Sequence, residues 1–249
     1  MVYNSNRTPA LSNEPPRSRA QPYGPDSPNP LMTQAQQVEA RLREMILDME
    51  IGPGERLTER WAEAQLGASR TPVRAALLRL EAEGLICREG RGWMVTPLDL
   101  KEIEQLFGYR EVLEVAAVQL AAKHAKPESL DALEAALEQS APNEQIREAH
   151  QRGTAFHVQL AALSANDFIA RGVADAMTRL SRVRWLDTSP EHDGQTEHLA
   201  VLSALRKGDG ALAAAIVTAH IHDSRDRVLK ILTQGQRSLR ARGLKVEQR

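Results

Sequence analysis

Aromatic residues are scarce in this 249-residue chain, at 4%: three Trp, three Tyr and three Phe. A core with so few rings has to be assembled from Leu, Val, Ile and Ala, which favours helices over sheets. There is one cysteine, Cys87, so an intramolecular disulfide is excluded and a reducing compartment is expected. No apolar run is long enough to span a bilayer, and the first residues lack a signal-peptide pattern. The expected location is therefore the cytoplasm, with no membrane partner. A surplus of charge is missing too. Lys and Arg number 32 against 33 Asp and Glu, a net charge of -1, so a DNA partner would have to be met by a local basic patch.

What is present is an ordinary soluble balance, 42% hydrophobic and 26% charged, on a chain long enough for one large domain or two modest ones. Residues 1–33 stand apart. Seven of the 13 prolines lie there (Pro9, Pro15, Pro16, Pro22, Pro25, Pro28 and Pro30), among Ser, Asn and Arg. Such a segment buries too little apolar surface to offset its ordering entropy, so a disordered arm is expected. It is either a passive tail or a basic arm, through Arg7, Arg17 and Arg19, that touches DNA phosphates.

Residues 34–98 read as a winged helix-turn-helix. Val38, Leu42, Met45, Ile46 and Met49 recur at helical spacing over 34–49. "IGPGERL" breaks that helix, and "TERWAEAQL" is a second, short one with Thr58 as N-cap. A third starts at Ser69 or Thr71, tolerates Pro72 in its first turn and carries the apolar stripe Val73, Ala76, Leu77 and Leu80, with Gly84 as the stop. "LICREGRGWMVTPL" is then two short strands around a Gly-rich hairpin.

From residue 99 to 240 the pattern is helical throughout, with no strand signal after about 97. A long helix, or two with a bend near Gly108, leads to a start at Pro127 and a break at Pro142; helices at roughly 144–164, 166–186, 194–207 and 209–240 follow. The expected fold is mostly α: a winged helix followed by an all-α bundle. The charged end, 241–249, is expected to be a flexible tail.

The third helix opens on two arginines, and a recognition helix explains them. Arg70 and Arg74 are four residues apart and share a face beside Thr71, while the apolar stripe turns away. A recognition helix presents its N-terminal residues to the major groove, where arginine can grip guanine O6 and N7. Arg60 on the preceding helix could reach the backbone, and Arg88 and Arg91 would lay the hairpin wing on adjacent phosphates. An ordinary solvated basic face is the competing reading for any one of these arginines.

"ASRTPVRAALLRLEAEGLI…GRGWMV" resembles the DNA-binding domain of the GntR family of bacterial transcription regulators, and "GPGERLTER" resembles that family's entry to the second helix. The likeness spans roughly 34–97. It implies a double-stranded operator as partner, with Arg60, Ser69, Arg70, Thr71 and Arg74 among the contact residues and Gly92 at the wing tip. Ala62 and Glu63 depart from the family's usual Leu-Ala pair. "YREVLEVAAVQLAAKHA", "FHVQLAALSAN", "EHLAVLSALRKGD" and "AAAIVTAHI" resemble the FCD effector-binding domain over about 100–235. That likeness implies an arginine, Arg110, pointing into the bundle and a metal held by His157, His198 and His220.

Of the seven histidines, those three fall on different predicted helices among apolar neighbours, where imidazoles could converge on one ion. The resemblance implies a divalent metal such as zinc, nickel or manganese. A lone histidine in a bundle is more often structural. His222, two residues past His220, should point away, and His192 lies in the loop "SPEHDG". The carboxylate ligand that the resemblance puts four residues before His157 is Gly153 here, with His150 a long-reaching substitute. Arg110 with His157, His198 and His220 makes a site for a small organic acid.

The expected function is a ligand-responsive regulator, a repressor, that reads a near-palindromic operator as a homodimer. The alternatives are a DNA-binding dimer without an effector and a metal-dependent enzyme. The enzyme needs a general base; the nearest candidate, Glu197 beside His198, is expected to point elsewhere.

Overall fold

The computed structural model describes residues 32–139, 146–184, 186, 194–241 and 246–247. The Pro-rich arm up to residue 31, the break at Pro142 and the loop holding His192 lie outside them. Thr33 caps the first helix, α1 (Gln34–Leu47), in a reciprocal capping box with Gln36. The helix is two residues shorter than its apolar pattern, because Met49 takes a left-handed φ of 61° and turns the chain. α2 (Glu59–Leu66) is capped by the Thr58 side chain, which accepts from the Trp61 amide. α3 (Arg70–Ala82) starts after Ser69 and is ended by Gly84, at φ 74°.

β2 (Ile86–Glu89) and β3 (Gly92–Val95) form the expected hairpin, and β3 also pairs with β1 (Arg56–Leu57), a strand that the break signal around Gly52–Gly54 concealed. The three strands lie in the order β1-β3-β2. Val73, Ala76, Leu77 and Leu80 from α3 meet Leu42 and Ile46 from α1, with Trp93 and Val95 from the wing, in one core. Ala62 is fully buried in that core, so the smaller residue on α2 is accommodated.

The helical half is built around α4 (Leu100–His124), one uninterrupted helix with Asp99 as N-cap. It packs on α6 (Ile146–Ala162), α7 (Asp167–Arg184), α8 (Gln195–Arg206) and α9 (Gly210–Ala241); α5 (Pro127–Glu138) covers α6 and α8. The apolar centre runs from Phe107 and Val118 through Leu133, Phe156 and Leu202 to Ile221 and Leu232.

Two expectations are corrected. Strand pairing does occur after residue 97, in β4 (Leu98–Asp99), and the C-terminal stretch read as a tail contains β5 (Val246–Glu247), parallel to β4. Two-residue strands owe their pairing to the partner brought near, not to a sequence pattern.

The halves meet through arginines of α7. Arg182, 2% exposed, donates to the carbonyls of Thr96 and Arg179 and faces Glu102 at 3.4 Å. Thr96 in turn donates to the Gly84 carbonyl. A Cβ on Gly84 would stand 2.7 Å from the Arg179 guanidinium, so this glycine answers to a close approach as well as to its φ.

Leu77 is fully buried where α3 meets α1. Leu77→Ala is expected to cost about 2–5 kcal/mol, read as a lower denaturant midpoint for the winged-helix part.

Candidate functional site

The first site is a polar centre inside the bundle. Helix periodicity gives α6, α8 and α9 one buried stripe each, and a single histidine interrupts each stripe: His157 (1% exposed), His198 (3%) and His220 (7%). Their ring centroids form a near-equilateral triangle with sides of 4.9, 5.0 and 4.9 Å. One donor atom from each lies within 4.8 Å of the others, so the cluster could hold a metal. It is the only such group among the described residues. Phe156 stacks on His198 at 4.2 Å and meets His157 edge-on at 5.4 Å, packing two rings from the apolar side.

Carboxylates fix the rings. His157 Nδ1 lies 2.7 Å from Glu114 Oε2, and His220 Nδ1 lies 2.5 Å from Glu197 Oε2. A carboxylate accepts, so each Nδ1 carries its proton, and in the neutral tautomer this leaves the lone pair on Nε2. The two Nε2 atoms face each other at 3.2 Å. Two lone pairs aimed at one point repel unless a cation or a proton lies between them. Two imidazole nitrogens on a tetrahedral zinc ion stand about 3.3 Å apart, so this pair is spaced for such an ion. Carboxylates on the outer nitrogens are also what orients metal-bound histidines.

Glu197 therefore does not point elsewhere, as expected from its place next to His198. It lies on α8 close enough to α9 to take the Nδ1–H of His220, a contact across helices that adjacency along one helix cannot reveal. Glu114 is a further residue the sequence reading missed. Its signal was there: an acid four residues after Arg110 in an apolar stretch.

Arg110 points into the bundle and is 1% exposed. Its Nε donates to Glu114 Oε1 at 2.5 Å and its Nη2 to His157 Nε2 at 2.8 Å. His222 turns out of the cluster to Glu111, at 2.9 Å. Gly153 is buried one turn before His157 and offers no donor. His150 is not among the converging donor atoms. Gly194, at φ 66°, closes the cluster: a Cβ there would stand 3.0 Å from His220 Cε1 and 3.4 Å from His198 Cε1.

The second site is the surface where α3 begins. Arg70, Thr71 and Arg74 are exposed, and so are Arg60 on α2 and Ser69, whose side chain makes no capping bond. Glu59, missed in the sequence, reaches Arg70 Nε at 2.7 Å and Arg74 Nε at 3.9 Å and gathers both heads to one point. That hydrogen bond raises the pKa of Arg70. Arg91 is exposed in the hairpin turn with Gly90.

Gly92 is not the tip. It opens β3 opposite Glu89, and a Cβ there would stand 3.3 Å from the Leu57 carbonyl, so its small size serves the approach of β1. Arg88, expected on phosphate, lies with its guanidinium 3.4 Å above the Trp93 ring and its Nε 3.3 Å from Glu81.

Both halves of the chain match families of known proteins. Residues 34–95 match the family of bacterial regulatory proteins of the gntR type, and residues 105–223 match the FCD domain. The chain is 32% identical over 191 residues to the Nta operon transcriptional regulator of Aminobacter aminovorans, covering 76% of this chain and 91% of that protein. It is 27% identical over 210 residues to the transcriptional repressor RspR of Escherichia coli (strain K12), covering 82% of this chain and 92% of that one. Among solved structures, E. coli McbR/YncC aligns with a TM-score of 0.65 at 21% identity over 82% of this chain and 99% of its own. A putative regulator from Rhodococcus sp. RHA1 aligns at 0.68 and 22%, over 80% and 99%.

Gly194→Ala is expected to cost about 1–2 kcal/mol from the left-handed φ alone. It should also push His198 and His220 apart. A melting curve reads the first effect and zinc affinity the second; a variant matching the wild type in both would remove Gly194 from the site.

Proposed function

Because this chain belongs to the GntR family of bacterial regulatory proteins and carries an FCD domain, and so is a transcription regulator and not an enzyme, we propose that it is a cytoplasmic repressor which reads a near-palindromic operator as a homodimer and answers to a small organic acid. We divide the work at residue 98: 34–98 binds the operator, and 99–240 binds the effector and dimerises. The observation that carries the reading is a buried guanidinium beside three convergent imidazoles, set among the apolar side chains of the bundle core. Such polarity is costly to bury unless hydrogen bonds or a ligand use it.

The repressor assignment is supported by the name of RspR. The homodimer is supported by Tyr109, Val112 and Phe168, exposed at 46%, 69% and 81%. Tyr109 and Val112 share a face of α4, Tyr109 leans on Gly172 of α7, and Phe168 lies one turn before Gly172. Large apolar side chains gathered on one exposed face suit a partner copy.

On the DNA side, Arg70, Thr71 and Arg74 are the readers of base edges, with Ser69 at the helix start. Arg60 and Arg91 flank them as phosphate contacts. Arg88 contributes by holding the wing on Trp93, and Gly92 by letting β1 approach. Arg70→Ala or Arg74→Ala is expected to cost about 1–3 kcal/mol on the operator in a gel shift, with binding falling steeply as salt rises. Operator binding unchanged in both variants would overturn the assignment of the recognition helix.

In the bundle, His157, His198 and His220 hold one divalent ion, zinc, nickel or manganese, through their inner nitrogens. Once bound, the ion supplies positive charge and open positions that a carboxylate oxygen can fill. Glu114 and Glu197 keep the rings aimed, and Arg110 holds the acid. Gly153 contributes no charge, so the ion is held by neutral ligands alone. Elemental analysis of protein prepared without chelator should find one ion per chain, and His198→Ala should lose it. Gly153→Asp should tighten zinc binding, since the two positions share a face. Metal well below one per chain in the wild type would favour histidines that bind the anion directly.

A further inference from the structure

His157 offers one lone pair to two claimants. Its Nδ1–H is committed to Glu114, so only Nε2 accepts, and Arg110 Nη2 already donates to it at 2.8 Å. The same Nε2 is one of the donors that converge with His198 and His220. Arg110, Glu114 and His157 are each 1% exposed, so solvent screens little between them. A guanidinium stays charged, so Arg110 cannot relieve the conflict by losing a proton. It blocks the nitrogen by its hydrogen bond and opposes a second cation by its charge. Its two arms differ, however. Nε is anchored on Glu114 at 2.5 Å, and only the Nη2 arm contends for the imidazole.

We propose that Arg110 competes with a divalent cation for His157 Nε2, and that a carboxylate accepting the Nη2 arm of Arg110 removes the competitor, so that acid and metal bind as a coupled pair. This rests on the reading of the centre as a metal-assisted anion site. The charges support it. Glu114 is matched by Arg110, Glu197 on His220 brings one partly exposed carboxylate to the rim of the centre, and Gly153 supplies none. One negative charge leaves a divalent cation half balanced, and the carboxylate of the ligand supplies the second. Coupling is reciprocal: the acid tightens the metal by the factor by which the metal tightens the acid.

The test uses the full chain stripped of metal, as wild type, Arg110→Gln and Arg110→Lys. Zinc affinity is read by competition with a chromophoric chelator, in sodium acetate or in sodium chloride of equal ionic strength. Acetate should raise the zinc affinity of the wild type by about 5- to 150-fold, the usual range of such couplings. In chloride, Arg110→Gln should bind zinc more tightly than the wild type, and acetate should add much less. Arg110→Lys keeps the charge beside Glu114, but its compact head cannot span two acceptors, so it should show the same two changes to a lesser degree. It also keeps the comparison available should the Gln variant lose its helical circular dichroism. Wild-type affinity that ignores acetate, or folded variants no tighter than the wild type in chloride, overturns the competition while leaving the metal site standing. Zinc that fails to bind the wild type in either salt, or binds His198→Ala equally well, overturns the metal reading and the competition with it.

Discussion

The ion pair between Arg110 and Glu114, sealed inside an apolar bundle, is the constraint to which the rest of the helical half conforms. Taking both charges out of water is costly, and leaving either without the other would cost about 3–5 kcal/mol. The pair is therefore bonded on both sides: one Glu114 oxygen takes Arg110, the other takes His157, and the second arm of Arg110 reaches the same histidine. Those bonds tie α4 to α6. Glu197 ties α9 to α8. Apolar packing tolerates small slips between helices. Hydrogen bonds that join helices in pairs do not, and they fix the register at the depth where the imidazoles converge.

The same economy appears where the halves meet. Arg182 is buried between α7 and the exit of the wing, and burial pushes its pKa down while Glu102 opposes the shift. Its bonds to two carbonyls replace the water it has lost. α7 thus touches α4 through Gly172 and Tyr109 at one end, and the winged helix through Arg179 and Arg182 at the other. It is an element that both halves share.

Much of this was legible in the chain. The caps Thr58 and Ser69, the stop at Gly84 and the stripe from Val73 to Leu80 are local signals, and α2 and α3 lie where those signals put them. The three histidines of the bundle stood out because the resemblance to the FCD domain marked them and each has apolar neighbours. What escaped was carried by partners distant in sequence. β1 pairs with β3 from 36 residues away or more, β4 pairs with β5 from the other end of the chain, and Gly92 is small because of Leu57. Glu59 and Glu114 do not declare their roles until their partners are known, and Glu197 reads in the sequence only as the neighbour of His198.

The sequence alone determined which segments are helices, which hairpin is the wing and which residue types are available to each site, because these follow from spacing within a turn or two of backbone. Only the tertiary structure decided that Glu197 serves His220. It likewise decided that Arg110 and His157 meet. Such contacts depend on the relative depth and rotation of elements dozens of residues apart, which the satisfaction of buried charge sets and the period of a helix does not.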